Sequence, residues 1–119
     1  MTKPEFKSLD NPDETREFDK GHIELVNLDG VTIAKVTFEP GWRWSECVKP
    51  LVGTNSCQAT HIGYGLSGRL HIVMDDVREY ESGPGEASVV PPGHDAWVVG
   101  DESYVSIDFD LGTYATPSS

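Results

Sequence analysis

A chain of 119 residues holds one domain with a single core and is too short for two. Its 20 acidic residues against 9 basic ones give a net charge of −11. That charge serves solubility, and it also repels phosphate backbones and anionic lipid, which excludes nucleic acid as a main partner.

No apolar run approaches the roughly 18 residues of a membrane-spanning helix. The first residues, MTKPEFKSLDNPDETREFDKG, carry no secretory signal, so a cytoplasmic location without a membrane partner is expected. Two cysteines in such a chain do not make a disulfide framework; they are free thiols, metal ligands or a redox pair.

Residues 1–20, polar and punctuated by Pro4 and Pro12, are predicted to form an arm or irregular lead-in. The folded barrel or sandwich is expected over 21–112, with 113–119 as a tail. HIELVNL (22–28), the turn DG and VTIAKVTF (31–38) predict a hairpin. EPGW is a turn, and residues 45–56, without periodicity, are expected to be a loop. CQATHIGYGL predicts a strand, SG a turn, and RLHIVMD (69–75) an alternating strand with Leu70, Ile72 and Met74 on one face. VREYES (77–82), EASVV (86–90), DAWVV (95–99) and YVSIDFD (104–110) complete the series. No 3.6-residue apolar stripe of helical length appears, so the chain is predicted to be all-β.

Within CQATHIGYGL, Cys57 and His61 are four residues apart, and on a continuous strand they share a face. Thiol and imidazole are both good ligands for zinc or another borderline metal. Each also has a plain structural reading, as a small buried apolar group or a hydrogen-bonded core histidine.

Two segments carry a family resemblance. NSCQATHIGYGLSG resembles the first signature of the cupins, His-x-His, three or four residues, Glu, six residues, Gly, with His61 at the glutamate position and Gly68 closing the frame. GEASVVPPGHDAWVVG resembles the second, with Gly85, five residues, then Pro91-Pro92-Gly93. The implied fold is the double-stranded β-helix of the small, single-domain, RmlC-like cupins, a jelly-roll barrel. The usual metal-binding residues are replaced: Asn55 and Cys57 stand for two histidines, Ala96 for the third, and Gly100 for the final asparagine.

A rewired donor set is expected from Cys47, Cys57, His61 and His94, holding a divalent ion: zinc, nickel, manganese or iron. Trp44 and Trp97 are expected to line a pocket for a small organic ligand, with filling of the core or a dimer interface the plainer reading of these and of Trp42 and Tyr64, and Arg43 to face solvent or an acidic substrate. Tyr64 faces away from His61 by strand parity, and His22 and His71 are read as having no role.

The resemblance implies a small-molecule-binding cupin that pairs as a homodimer through N-terminal strands. Its chemistry would be that of a metal-dependent isomerase, lyase or cyclase. The alternatives are a non-catalytic binding or sensory cupin without metal, and a redox protein with a reversible Cys47–Cys57 disulfide. Fold alone does not choose among them.

Overall fold

Alternating side chains and left-handed turn residues set nine strands into two antiparallel sheets among the described residues. The computed structural model describes residues 3–109, so the expected tail at 113–119 lies outside the described residues. The strands are β1 (Glu14–Phe18), β2 (Gly21–Leu28), β3 (Val31–Phe38), β4 (His61–Ser67), β5 (Leu70–Met74), β6 (Glu79–Ser82), β7 (Ala87–Val90), β8 (His94–Val98) and β9 (Tyr104–Phe109). One sheet has the order β1-β2-β3-β9-β4-β7 and the other β6-β5-β8.

The β2–β3 hairpin turns on Asp29 and Gly30, both at positive φ (46° and 85°). Such two-residue turns follow the twist of the strands they join. Register is full-length, from Gly21 opposite Phe38 to Leu28 opposite Val31.

Three departures from the expected layout have local causes. The polar lead-in contributes β1, which lies antiparallel on β2. Its exposed, charged side chains are those of a protected sheet edge, which hides it from a hydrophobic pattern. Strand β6 begins at Glu79 rather than 77, because Val77 sits at φ 66° in a turn closed by its N–H to the Met74 carbonyl. The expected loop at 45–56 contains two single helical turns, α1 (Trp44–Cys47) and α2 (Lys49–Val52). Each is four residues long, too short to show periodicity; α2 opens with proline near its first position and ends on Gly53 at φ 78°.

The core lies between the inner faces. Ile23 and Leu25 (β2), Ala34, Val36 and Phe38 (β3), Ile72 (β5), Ala96 and Val98 (β8) and Tyr104 (β9) are buried together with Trp42, Trp44 and Val48. Phe38 stacks on Trp42 at 3.7 Å with the rings within 3° of parallel. Each fully buried aliphatic or aromatic side chain stabilises the fold by on the order of 1.5–3 kcal/mol.

Candidate metal centre and its cavity

Cys57, His61 and His94 converge at one end of this core. Their ligand atoms all lie within 4.8 Å of one another. Cys57 does not belong to β4, which starts at His61, so the same-strand argument for the pair fails. The two residues meet for another reason. Cys57 forms an isolated antiparallel bridge with His94, its N–H donating to the His94 carbonyl at 2.7 Å while the Gly93 N–H donates to the Cys57 carbonyl at 2.7 Å. The bridge aims Cys57 Sγ at His61 Nε2, 3.4 Å away. Gly93 is required here: it sits at φ 94°, and a side chain would run into the Asp75 carboxylate.

His94 opens β8 and shares its inward face with Ala96 and Val98. Its Nδ1 is 2.9 Å from the Pro91 carbonyl. A carbonyl only accepts, so Nδ1 carries the proton and Nε2 keeps its lone pair. Burial lowers the pKa of His94. Burial, then the neighbouring His94, push that of His61 down to about 3. Both imidazoles are therefore neutral at physiological pH, the state in which histidine binds metal. Burial raises the Cys57 thiol to about 11, so it holds its proton until a cation replaces it.

The residue that the sequence reading missed is Asp108. It is buried on β9, with Oδ2 3.9 Å from His61 Nδ1, longer than a hydrogen bond. Because His61 is neutral, the contact is not an ion pair. The Ser106 hydroxyl donates to Asp108 Oδ1 at 2.8 Å. Burial outweighs that bond and raises the carboxyl pKa to about 6. Gly63, opposite Asp108 in the β4–β9 register, leaves the space: a Cβ at 63 would collide with Oδ1.

His61, His94, Ser106 and Asp108 border a cavity of about 50 Å³ lined also by Trp42, Trp44 and Ala96, while Cys57 meets His61 beside it rather than on its wall. Ala96, at the histidine position of the second cupin signature, thus leaves room where the family has a ligand. Two polar atoms lining it, Trp42 Nε1 and Ser82 Oγ, are buried without a hydrogen-bond partner. Each such orphan costs on the order of 1–3 kcal/mol.

The structure does not bring Cys47 or Trp97 to this site. Cys47 lies on α1 and its Sγ approaches Asp19 Oδ2 at 3.7 Å, under the β1–β2 turn. It is buried and stands outside the donor cluster, and both cysteines are free thiols. Trp97 alternates with Ala96 and Val98 and so faces out of the barrel, stacked on His71 at 4.6 Å. The Arg43 guanidinium lies over the Trp97 ring, 4.1 Å from its centre, and 3.5 Å from Asp95. Trp44, by contrast, is buried and lines the cavity as expected.

Two sheets closed around a site at the start of β4 and β8 make this a small domain of cupin fold. It resembles an RmlC-like cupin from Shewanella frigidimarina, with a TM-score of 0.61, 15% identity and 90% of this chain matched to 89% of that one. It also resembles a sugar phosphate isomerase of the cupin superfamily from Silicibacter pomeroyi, with a TM-score of 0.62, 18% identity and coverage of 89% and 74%. An oxalate decarboxylase from Lactobacillus farciminis matches with a TM-score of 0.57 and 17% identity over 81% of this chain, which spans only 30% of that protein. At such identities the likeness is one of fold. No family model and no curated protein matches the sequence. Among the described residues no helix is long and apolar enough to cross a membrane.

Proposed function

We propose that this cupin-fold domain binds one divalent metal ion through Cys57 Sγ, His61 Nε2 and His94 Nε2 and takes a small organic molecule beside it. The observation that carries the reading is the convergence of one thiol and two neutral imidazoles within 4.8 Å, the imidazoles lining a buried cavity. Donors around a tetrahedral zinc ion at about 2.0–2.3 Å stand roughly 3.3–3.7 Å apart. The Cys57–His61 separation of 3.4 Å already matches that spacing. A thiolate with two imidazoles suits zinc or nickel better than manganese or iron, which favour harder oxygen ligands.

Three protein donors leave a fourth position, the arrangement of a catalytic rather than a purely structural site. A metal bound there would supply Lewis acidity toward a small oxygenated substrate. The chain supplies the rest. His94 is held in its tautomer by Pro91. Asp108 stands behind His61, and Trp42 Nε1 and Ser82 Oγ offer unmet hydrogen-bonding capacity to a ligand. Isomerase, lyase or cyclase chemistry fits this set, and the isomerase and decarboxylase among the similar structures keep such chemistry in view.

A second reading, a metal-free binding or sensory protein, is favoured by the Cys57–His61 contact itself, which partners both groups without an ion. Metal analysis separates the two. Wild-type protein supplied with zinc, nickel, manganese or iron and then desalted should retain about one ion per chain, and His61→Ala should lose it. Equal retention by both would overturn the metal reading.

A further inference from the structure

The inner cavity is not sealed. Ile72, Ser82, Ser88 and Val90 line both it and a larger cleft of about 550 Å³. That cleft runs between β6 and β7, the terminal strands of the two sheets, where no ladder joins one to the other. The four shared residues therefore form a neck. Ser82 is 8% exposed, and its buried Oγ has no hydrogen-bond partner. The Tyr104 hydroxyl lies near it, its pKa raised by burial, but the two do not meet in hydrogen-bond geometry. An orphaned hydroxyl at a neck is a group waiting for a passing or bound ligand.

Size divides the ligand between the two spaces. Pockets for small molecules occupy about 300–1,000 Å³. The inner cavity, at about 50 Å³, takes one short polar group, while the cleft, at about 550 Å³, takes the body of a molecule. Charge then restricts the class. The cleft is lined by three carboxylates, Asp76, Glu81 and Glu86, against one guanidinium, Arg78. Asp76 pairs with Arg78 at 2.6 Å and Glu81 with Arg69 at 2.5 Å, which leaves Glu86 as the lining carboxylate outside those ion pairs. Glu86 is held in place by the Gly83 N–H at 2.6 Å. In a chain of net charge −11, a rim of this sign concentrates cations and repels anions.

We infer that the substrate enters through the β6–β7 neck, reacting end first, and that it is a neutral or cationic small molecule rather than a carboxylate or phosphate. The inference deepens the reading of the cavity as the reactive site and rests on it. Its test uses metal-free protein, so a failure to bind metal leaves the outcome readable.

Three methanethiosulfonate reagents that transfer a methylthio, 2-aminoethylthio or 2-sulfonatoethylthio group differ mainly in charge. Their rates of attachment to Cys57 are followed by peptide mass spectrometry at low ionic strength, with Cys47 in the same molecule as reference. In wild-type protein the amine-to-sulfonate rate ratio at Cys57 should exceed that at Cys47 by about tenfold or more. It should fall toward the Cys47 value in Glu86→Gln. Ser88→Phe, which narrows the neck, should slow all three reagents at Cys57 by about tenfold or more and leave Cys47 unchanged. Equal charge preference at the two cysteines would overturn the selectivity. Unchanged Cys57 labelling in folded Ser88→Phe would overturn the route. If that variant does not fold, Val90→Phe at the same neck is read in the same way and decides the route.

Discussion

Replacing Asp108 by asparagine should make the metal-free protein more stable at neutral pH, although it removes a buried hydrogen-bonded side chain. The carboxyl pKa rises from an ordinary 3.8 to about 6, because burial penalises the charge more than the Ser106 hydroxyl stabilises it. At about 1.4 kcal/mol per pKa unit, ionising it in the folded state costs about 3 kcal/mol. A carboxyl whose folded pKa lies above its unfolded one binds more protons when folded. Its contribution is therefore full below pH 4, is lost as pH rises toward 6, and stays lost above that. Asparagine cannot ionise, and it keeps an acceptor for Ser106. The two proteins should be equally stable near pH 4 and differ by up to about 3 kcal/mol at pH 8. His61, neutral in the folded state down to about pH 3, adds no ion pair across this range. Urea unfolding followed by tryptophan fluorescence, with chelator present, would show a midpoint shift of about 1–3 M at pH 8. A stability difference that does not change with pH, or a less stable variant at pH 8, would refute the buried carboxyl described here.

Three further outcomes follow from the same geometry. Binding of zinc near pH 7.5 should release about one proton per ion, because His61 and His94 are already neutral and only Cys57, at about 11, must lose one. Calorimetry in buffers of different ionisation enthalpy measures it, and binding without proton release would count against a Cys57 ligand. Trp97→Ala should leave metal stoichiometry unchanged, since the ring lies outside the barrel against His71 and Arg43; loss of the metal would return Trp97 to the site. The outer face of β4 and β7 shows Ile62 (49% exposed), Tyr64, Leu66 and Val89 (65% exposed), an apolar patch that a second copy of the chain would cover. Sedimentation at micromolar concentration should give a dimer that Ile62→Asp shifts to monomer, whereas a monomeric wild-type protein would reject pairing.

Turn chemistry made the fold legible, and spacing made half of the site so. Glycine, proline and aspartate mark every hairpin, and the frame around Gly68 and Pro91-Pro92-Gly93 located His61 and His94. Cys57 comes beside His61 for a reason that spacing does not carry, since its partner in the backbone is His94 rather than its own strand. Asp108 was hidden by an inverted alternation. In YVSIDF the apolar residues Val105, Ile107 and Phe109 look like the core face, yet Tyr104, Ser106 and Asp108 are the buried set. The cause lies on a different strand: Gly63 of β4 opens the space opposite Asp108. Strand parity from His61 already put Tyr64 outside, and carrying it to Ile62 and Leu66 would have signalled an apolar outer face. Cys47 went astray because a four-residue helical turn leaves no periodic trace, and α1 directs it to Asp19 instead of the cavity.

The central claim is that Cys57, His61 and His94 hold one metal ion. X-ray absorption at the metal edge of zinc-loaded protein tests it most directly. The proposed site would give one sulfur scatterer at about 2.3 Å and two imidazole nitrogens at about 2.0–2.1 Å, with a fourth light atom completing the shell. The sulfur should vanish in Cys57→Ser and persist in Cys47→Ser. A shell of nitrogen and oxygen alone in the wild-type protein, or a sulfur that disappears with Cys47 instead, would contradict it.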